Sequence, residues 1–301
     1  MTPRELIAEA WDITRREIAI RRWAITSSFF ELLLTIKLLA TQVYLFYEYT
    51  QGNAAGFFDI EIAMYNAMPH GLFWAILIAF WVLVGIEFVA PNFCEGAIIG
   101  LAAKAHRKER VEGGPVLALY NFAPLFAFNE LFLLSKITNA VTACSLILRY
   151  VDHPLKWPSV WFVIFVFALS VVLQFFSSFG AQAIVIRKEN VFQAIGRSFK
   201  LIISYLKHVL FLKVLLLIIS LRILLNALVV LLVPAITIGL GLLLGTFLAP
   251  IISYTIAVIV GIALLLVASY FFAFVHVFKQ TVWTLAYLHL SDRKDLDVIM
   301  E

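Results

Sequence analysis

The chain has 301 residues, of which 63% are hydrophobic and 14% are charged, and its mean hydropathy is +0.97. These values lie well outside the range of ordinary soluble domains, so they exclude a water-soluble globular protein as the expected class. The formal net charge is +4, and most of the basic residues occur at the ends of apolar segments. That distribution favours contact with anionic lipid headgroups over contact with nucleic acid.

Several apolar segments are long enough to cross a membrane, for which a helix needs about 20 residues to span about 30 Å of hydrocarbon. The sequence therefore predicts an all-α, polytopic transmembrane bundle with six spans, in which residues 1–301 form a single integral membrane domain. The predicted spans lie at about 24–48, 70–99, 117–148, 159–186, 206–232 and 250–287.

Lys and Arg residues are concentrated on one side of this six-span arrangement. The segments 1–23, 104–115, 187–207 and 279–301 hold seventeen of them, whereas the opposite loops hold only Arg149 and Lys156. By the positive-inside rule, both termini are expected in the cytoplasm of a prokaryotic cell, with the chain in the plasma membrane. Tyrosine and tryptophan residues cluster near the opposite ends of the spans, as an outer aromatic belt does.

A short basic sequence recurs along the chain. GLAAKAHRKERV at 100–111 and GAQAIVIRKENV at 180–191 agree at six of twelve positions, and a related triplet occurs at 293–295. The recurrence predicts three hairpin repeats, each made of a cytoplasmic helix, two spans and a basic stop. The predicted repeats cover about 1–110, 111–189 and 190–295.

Each repeat is expected to open with a basic amphipathic helix on the cytoplasmic membrane surface. Thr2-Pro3-Arg4-Glu5 has the form of a capping box with proline in the first turn. Asn190 with Gln193 has the form of another capping box. The apolar face of the first helix is predicted at Ile7, Trp11, Thr14 and Ile18, and that of the third at Val191, Ala194, Ile195, Ser198, Phe199 and Ile202.

The second copy departs from this pattern at Glu112-Gly113-Gly114-Pro115, which predicts a short or absent helix. The alternative for all three segments is a basic connector whose charges only set the orientation of the spans in the membrane. The residues expected to contact anionic headgroups are Arg21, Arg22, Arg107, Lys108, Arg187, Lys188, Arg197 and Lys200.

Charged side chains occur inside the predicted spans. A lone charge at mid-bilayer costs from about 3 to more than about 10 kcal/mol, so these side chains must face protein or water. The hypothesis is that Lys37, Lys136 and Arg222 meet near the membrane middle and bind an anion. The alternative is that they form interhelical ion pairs, with Glu87 the leading partner. The acids expected to balance these cations are Glu31, Glu87 and Glu130.

The stretch 234–250 contains two prolines and three glycines and admits two interpretations. It is either a re-entrant or broken segment, or a long kinked helix with Gly241 and Gly245 at a packing face.

The segment NVFQAIGRSFKL at 190–201 resembles a recurring element of poorly characterised prokaryotic six-span proteins. That group is related to the membrane domain found beside glycerophosphodiester phosphodiesterases. The resemblance implies a membrane role near lipid metabolism or transport, and it carries over no catalytic residue.

No catalytic or metal-binding pattern is present, because GxSxG, P-loop, GxGxxG and HExxH sequences are all missing. We therefore expect no enzyme, no cofactor and no metal, and we expect Cys94 and Cys144 to be inert thiols. The function expected is a transporter, channel or lipid-handling protein for an anionic small molecule or headgroup. The alternative is a structural subunit or scaffold that binds anionic lipid and partner proteins. The apolar fourth span offers a surface for homo-oligomerisation or for assembly into a membrane complex.

Overall fold

The structure, a computed structural model, describes residues 2–51, 59–151 and 154–293. These residues form eleven α-helices and a short 3-10 helix at Leu133–Ser135, and they contain no strand, which confirms the all-α prediction. The helices are α1 (Pro3–Arg16), α2 (Ile18–Thr50), α3 (Asp59–Ala67), α4 (His70–His106), α5 (Gly114–Leu131), α6 (Ile137–Tyr150), α7 (Lys156–Phe176), α8 (Gly180–Arg187), α9 (Val191–Ser204), α10 (Leu206–Gly245) and α11 (Pro250–Arg293).

Four helical segments of the described chain are long and apolar enough to cross a membrane, compared with the six predicted. A fifth is added if α9 and the start of α10, which meet at an angle of 98°, are counted as one bent span. The side chains of 219–231 in α10 lie outside the described residues, so the predicted span 206–232 is only partly described. The four segments are Ile18–Tyr44, His70–His106, Lys156–Phe176 and Thr255–Asp292.

The segment predicted as the third span, 117–148, is not one helix. It is divided between α5 and α6 by a break at Phe132–Lys136. The Ser135 hydroxyl donates to the carbonyl oxygen of Phe132 at 2.6 Å, and the Asn139 amide donates to that of Leu133 at 2.9 Å. Because side chains satisfy the freed carbonyl groups, the chain leaves the helical path at a low energetic cost.

The segment predicted as the fourth span is also divided, into α7 and α8. The buried hydroxyl of Ser198 in α9 fills the gap: it accepts from the Phe179 amide at 3.0 Å and donates to the Phe176 carbonyl at 2.8 Å. A side chain from the following helix thus satisfies two backbone groups that the break would leave unpaired.

The main core lies where the ends of three helices meet. The C-terminal parts of α4, α8 and α11 pack against one another, while α5, α9 and α1 pack against α4, α8 and α11 respectively. One cluster of buried side chains joins all six helices. Its fully buried members include Ile13, Ile98, Leu125, Ile184, Leu201 and Tyr287.

Away from this core the helices expose apolar surface. The first half of α4 exposes Trp74 and Trp81 at 54% and 60%, whereas Ile98 and Ile99 in its second half are fully buried. Exposed apolar surface on this scale is typical of contact with lipid. The fold is therefore compatible with an integral membrane protein that has a protein-packed end and lipid-facing helices.

The two aligned basic segments end helices in the same way. Lys108 and Lys188 have φ angles of 57° and 60°, and they are the non-glycine residues with positive φ in the described chain. A left-handed residue after the last turn is a common helix stop. The recurrent Arg-Lys-Glu triplet therefore terminates α4 and α8, whereas Lys294 and Asp295 of the third triplet lie outside the described residues. The division into three repeats stays a prediction.

The capping box of α1 is confirmed, because the Glu5 amide donates to Thr2 Oγ1 and the Thr2 amide donates to Glu5 Oε2. The apolar face predicted for α1 meets protein only in part, since Thr14 is buried and Trp11 contacts Phe278, and its contact with the membrane stays a prediction. Trp11 is 47% exposed and Ile18 is 57% exposed. The side chains that α1 buries are Leu6, Ala10, Ile13 and Thr14.

In α9, three residues of the predicted apolar face are fully buried against protein: Ala194, Ser198 and Ile202. The placement of α1 and α9 on the membrane surface stays a prediction.

The described chain has no separate helix between α4 and α5, and α5 itself, which extends over 18 residues, begins at the glycine pair. Gly113 precedes it with a φ angle of 84°, a conformation that glycine adopts without strain. Pro115 lies in the first turn, where the missing amide hydrogen is not needed. The sequence that looked like a helix breaker is a helix start.

The left-handed conformation of Lys108 predicts opposite effects of glycine at two exposed lysines. Lys108→Gly is expected to preserve or raise the unfolding free energy, because glycine removes the roughly 1–2 kcal/mol cost of a left-handed residue. Lys200→Gly, inside α9, is expected to lower it by about 1 kcal/mol. Unfolding of the purified variants in detergent measures both values. Equal destabilisation at both positions would contradict the helix-stop assignment.

Candidate functional site

The charge pair between α2 and α4 is the best-defined polar contact inside the bundle. Lys37 Nζ lies 2.7 Å from Glu87 Oε1. The Glu87 side chain is fully buried, and that of Lys37 is 26% exposed and lies over the Phe80 ring. This contact agrees with the alternative in which Glu87 forms an ion pair with a lysine of the predicted spans. Glu87 Oε2 is buried and has no hydrogen-bond partner among the described residues.

A second polar group connects α4, α5, α8 and α11. Glu95 Oε2 accepts from the Asn129 amide at 2.7 Å, and Glu95 Oε1 accepts from the Gln280 amide at 2.9 Å. The same Asn129 amide also donates to Asn92, and Gln182 donates to Gln280 at 3.3 Å. Hydrogen bonds from several helices stabilise a carboxylate that burial alone would disfavour.

A cavity of about 670 Å³ lies beside these two groups, between α2, α4, α5 and α6, with contributions from α7 and α11. Its walls combine apolar side chains with an unusual number of polar ones. The polar side chains that line it are Ser27, Glu31, Thr35, Glu87, Asn92, Glu95, Asn129, Glu130, Lys136, Thr138, Asn139, Thr142, Gln174 and His276. Its volume falls within the range of about 300–1,000 Å³ that is usual for small-molecule sites.

The charges on the cavity wall are mainly negative. Four glutamates line it, and Lys136 is its one lysine among the described residues. Lys136 Nζ lies 3.6 Å from Glu31 Oε1, with both side chains about half exposed. The Glu130 side chain makes no hydrogen bond or close ion pair with another described residue, and it interacts electrostatically with Lys136. Like charges brought together in a confined site attract a compensating cation.

Of the three predicted anion-binding cations, the two whose side chains are described, Lys37 and Lys136, do not both line this cavity. Lys37 contacts Glu87 and is not part of the lining, while Lys136 lines the cavity and faces Glu31. The side chain of Arg222 lies outside the described residues. By contrast, all three acids predicted to balance the cations, Glu31, Glu87 and Glu130, line the same cavity. The anion-binding role of the cations stays a prediction.

The residues expected at the lipid surface have different surroundings. Arg22, Arg107, Arg187 and Lys200 are exposed. Arg197 instead forms an ion pair with Glu189, and both side chains are largely buried. Its role at the lipid surface stays a prediction.

Two further members of this predicted lipid-surface group are partly enclosed by protein. Lys188 donates to Asn121 at 3.2 Å and lies over the Tyr120 ring, and burial lowers the pKa of its ammonium group. Arg21 buries its Nε atom without a hydrogen-bond partner in the described chain.

Sequence reasoning missed Asn92, Asn129 and Gln280 as site residues. The sequence contained an indication of them, because an Asn or Gln side chain inside an apolar segment needs a polar partner. The Gly96-x-x-x-Gly100 spacing in the sequence also indicated close helix packing, and in the structure it lets α4 approach α5 closely. A Cβ atom added to Gly96 would lie 3.1 Å from the Leu117 carbonyl oxygen, which shows how near the two helices are.

Comparisons with known proteins add no assignment, since no family model, no curated protein and no solved structure matches the chain. The argument for function therefore starts from the cavity and its charges.

The pair between Lys37 and Glu87 predicts unequal effects of removing its two members. Lys37→Met leaves a fully buried carboxylate without its cation, so we expect it to lower the unfolding free energy by about 3 kcal/mol. Glu87→Leu leaves a partly exposed lysine and is expected to cost less. The Lys37→Met/Glu87→Leu double variant is expected to recover most of the loss.

The control for this experiment is Lys136→Met, which removes the partly exposed, longer pair with Glu31 and is expected to cost less than about 1 kcal/mol. Unfolding in detergent micelles measures all four variants. Additive effects of the two single changes would contradict a direct pair.

Proposed function

We propose that the chain is a multi-pass protein of the prokaryotic plasma membrane that binds a primary ammonium group in the carboxylate-lined cavity. It acts there as a transporter or lipid-handling protein, with its termini in the cytoplasm. The observation that carries the proposal is the concentration of Glu31, Glu87, Glu95 and Glu130 on one cavity wall. The proposal reverses the charge of the ligand expected from sequence.

Two polar atoms support a ligand with N–H donors. Glu87 Oε2 and His276 Nε2 are buried without hydrogen-bond partners among the described residues, and both residues line the cavity. Glu130 adds a carboxylate that accepts no hydrogen bond from a described side chain and interacts with Lys136 only at longer range. A primary ammonium group carries three N–H donors and one positive charge, so it matches acceptors that come from different helices.

The apolar part of the wall suits the rest of such a ligand. Phe88, Leu134 and Leu146 line the cavity together with the carboxylates. The volume of about 670 Å³ greatly exceeds what a bare ion needs, which favours an organic amine. The amine is either a free small molecule or the headgroup of an aminophospholipid, and both offer the same ammonium chemistry.

A scaffold function is the second candidate. It is favoured by the Lys37–Glu87 pair and by the hydrogen bonds that Glu95 receives, because these contacts connect helices without any ligand. In that case the polar groups fix the register of the helices, and the cavity holds water only. The resemblance to the six-span membrane domain is compatible with either function and stays part of the proposal.

Ethanolamine is the probe that tests the amine-binding function. When it is added to the purified full-length protein at about 100 times its dissociation constant, the unfolding free energy is expected to rise by about 2.7 kcal/mol. Glu130→Gln removes one charge-assisted hydrogen bond, which is worth about 1.5–3 kcal/mol, so binding is expected to weaken at least tenfold. The matched control is Glu112→Gln, whose exposed side chain lies outside the cavity.

Further arms of the experiment separate the alternatives. If only phosphatidylethanolamine in nanodiscs stabilises the wild type, and Glu130→Gln removes that effect, the source of the ammonium group is a lipid headgroup. Uptake of labelled ethanolamine into proteoliposomes identifies a transporter. Stabilisation by phosphate that depends on Lys136 would restore the anion hypothesis. A response to none of these probes would contradict amine binding and leave the scaffold.

A further inference from the structure

A second cavity lies on the other side of the break at Phe132–Lys136, between α6 and α7. Its volume is about 830 Å³, and its walls are mainly apolar. One face of α6 forms one wall, because its members recur three or four residues apart. The apolar lining residues are Ile137, Ala140, Val141, Cys144, Leu148, Trp157, Val163, Ile164 and Phe167. We call this cavity the α6–α7 groove.

Both cations of the predicted outer side meet at one end of this groove. Arg149 and Lys156 were the exceptions to the concentration of basic residues on the cytoplasmic side, and both line the groove near the turn between α6 and α7. Arg149 Nη1 is buried and has no hydrogen-bond partner in the described chain. A buried guanidinium nitrogen without an acceptor carries a desolvation penalty that an anion would remove.

The start of α7 adds donors at the same end. Lys156 is the first residue of this helix, and the residue before it makes no side-chain capping bond. The first turn offers the backbone amides of Lys156 and Trp157, whereas Pro158 has none, and helix N-termini favour anions.

The length of the groove fits a lipid chain. Residues 137–149 of α6 extend along about 18 Å at 1.5 Å per residue. One leaflet of a bilayer contributes about 15 Å of hydrocarbon, half of the usual 30 Å. An acyl chain within the groove would thus place its headgroup at the charged end, at the level of Trp157, where interfacial tryptophans are expected.

We propose that the α6–α7 groove binds an anionic phospholipid of the outer leaflet. Its phosphate contacts Arg149 and Lys156, and one of its acyl chains lies along the apolar face of α6. Among the described residues no carboxylate lines the groove beside these two cations, so they favour a net negative headgroup over a zwitterionic one, whose own ammonium group competes for the phosphate. This site is separate from the carboxylate-lined cavity and does not depend on which ligand that cavity binds.

The chain offers a local reporter for this site. Cys144 lines the groove and is partly exposed, whereas Cys94 is buried in the core. Alkylation by N-ethylmaleimide, followed by mass spectrometry, therefore measures access to the groove at Cys144 and the integrity of the fold at Cys94.

The test compares the full-length protein in nanodiscs of phosphatidylcholine with and without phosphatidylglycerol. We expect phosphatidylglycerol to slow alkylation of Cys144 by about tenfold, as one charge-assisted hydrogen bond allows. The double variant Arg149→Gln/Lys156→Gln is expected to lose this difference between the lipids. The matched control, Arg107→Gln/Lys200→Gln on the predicted cytoplasmic side, is expected to retain it.

A second variant tests the apolar part of the groove. Val141→Trp fills the groove and keeps both cations, so we expect less phosphatidylglycerol to remain bound after detergent extraction, as measured by native mass spectrometry. Equal protection of Cys144 by both lipids would overturn the headgroup assignment. Retention of phosphatidylglycerol by Val141→Trp at the wild-type level would overturn the location of the site.

Discussion

The meeting of three helix ends, those of α4, α8 and α11, is the constraint on which the rest of the structure depends. The buried cluster that joins them also holds α1, α5 and α9, so one packed region fixes six helices. Gly96 in α4 and Gly180 in α8 permit the close approach of α5 to both helices, because a Cβ atom at Gly180 would overlap the Phe128 ring. Polar side chains within this region pair the backbone groups that helix breaks leave free. The hydroxyl of Ser198 does so at the break between α7 and α8, where the chain changes direction.

The same packing determines the chemistry of the interior. Charges in a membrane need partners or water, and the two carboxylate oxygens of Glu87 have different surroundings. Oε1 of this residue contacts Lys37, while Oε2 remains without a hydrogen-bond partner and the residue lines the cavity. The α6–α7 groove has the opposite charge, because it combines apolar walls with two cations. The molecule thus offers an acidic cavity and a basic groove on the two sides of one break in the chain.

Sequence reasoning predicted the helical class, the capping box at Thr2 and the pairing of a span lysine with Glu87, because hydropathy, local hydrogen bonding and charge burial are strong local signals. It did not predict the break at Phe132–Lys136, where the hydroxyl of Ser135 and the amide of Asn139 satisfy the free carbonyls. It also did not predict that α1 packs against α11, because the two helices are distant in sequence. The acidic character of the cavity depends on which helices meet, and one sequence does not encode that in any local pattern.

The most direct test of the central claim asks whether α1, α5 and α9 lie on one side of the membrane. In a background without native cysteines, single cysteines at Arg4, Leu119 and Lys200 report on these helices, and one at Leu155 reports on the end of the α6–α7 groove. All four positions are exposed in the structure. On intact cells, a membrane-impermeant maleimide is expected to label Leu155→Cys and to spare the other three until the cells are opened. Labelling of some but not all of Arg4→Cys, Leu119→Cys and Lys200→Cys from outside would contradict a single core that holds all three helices.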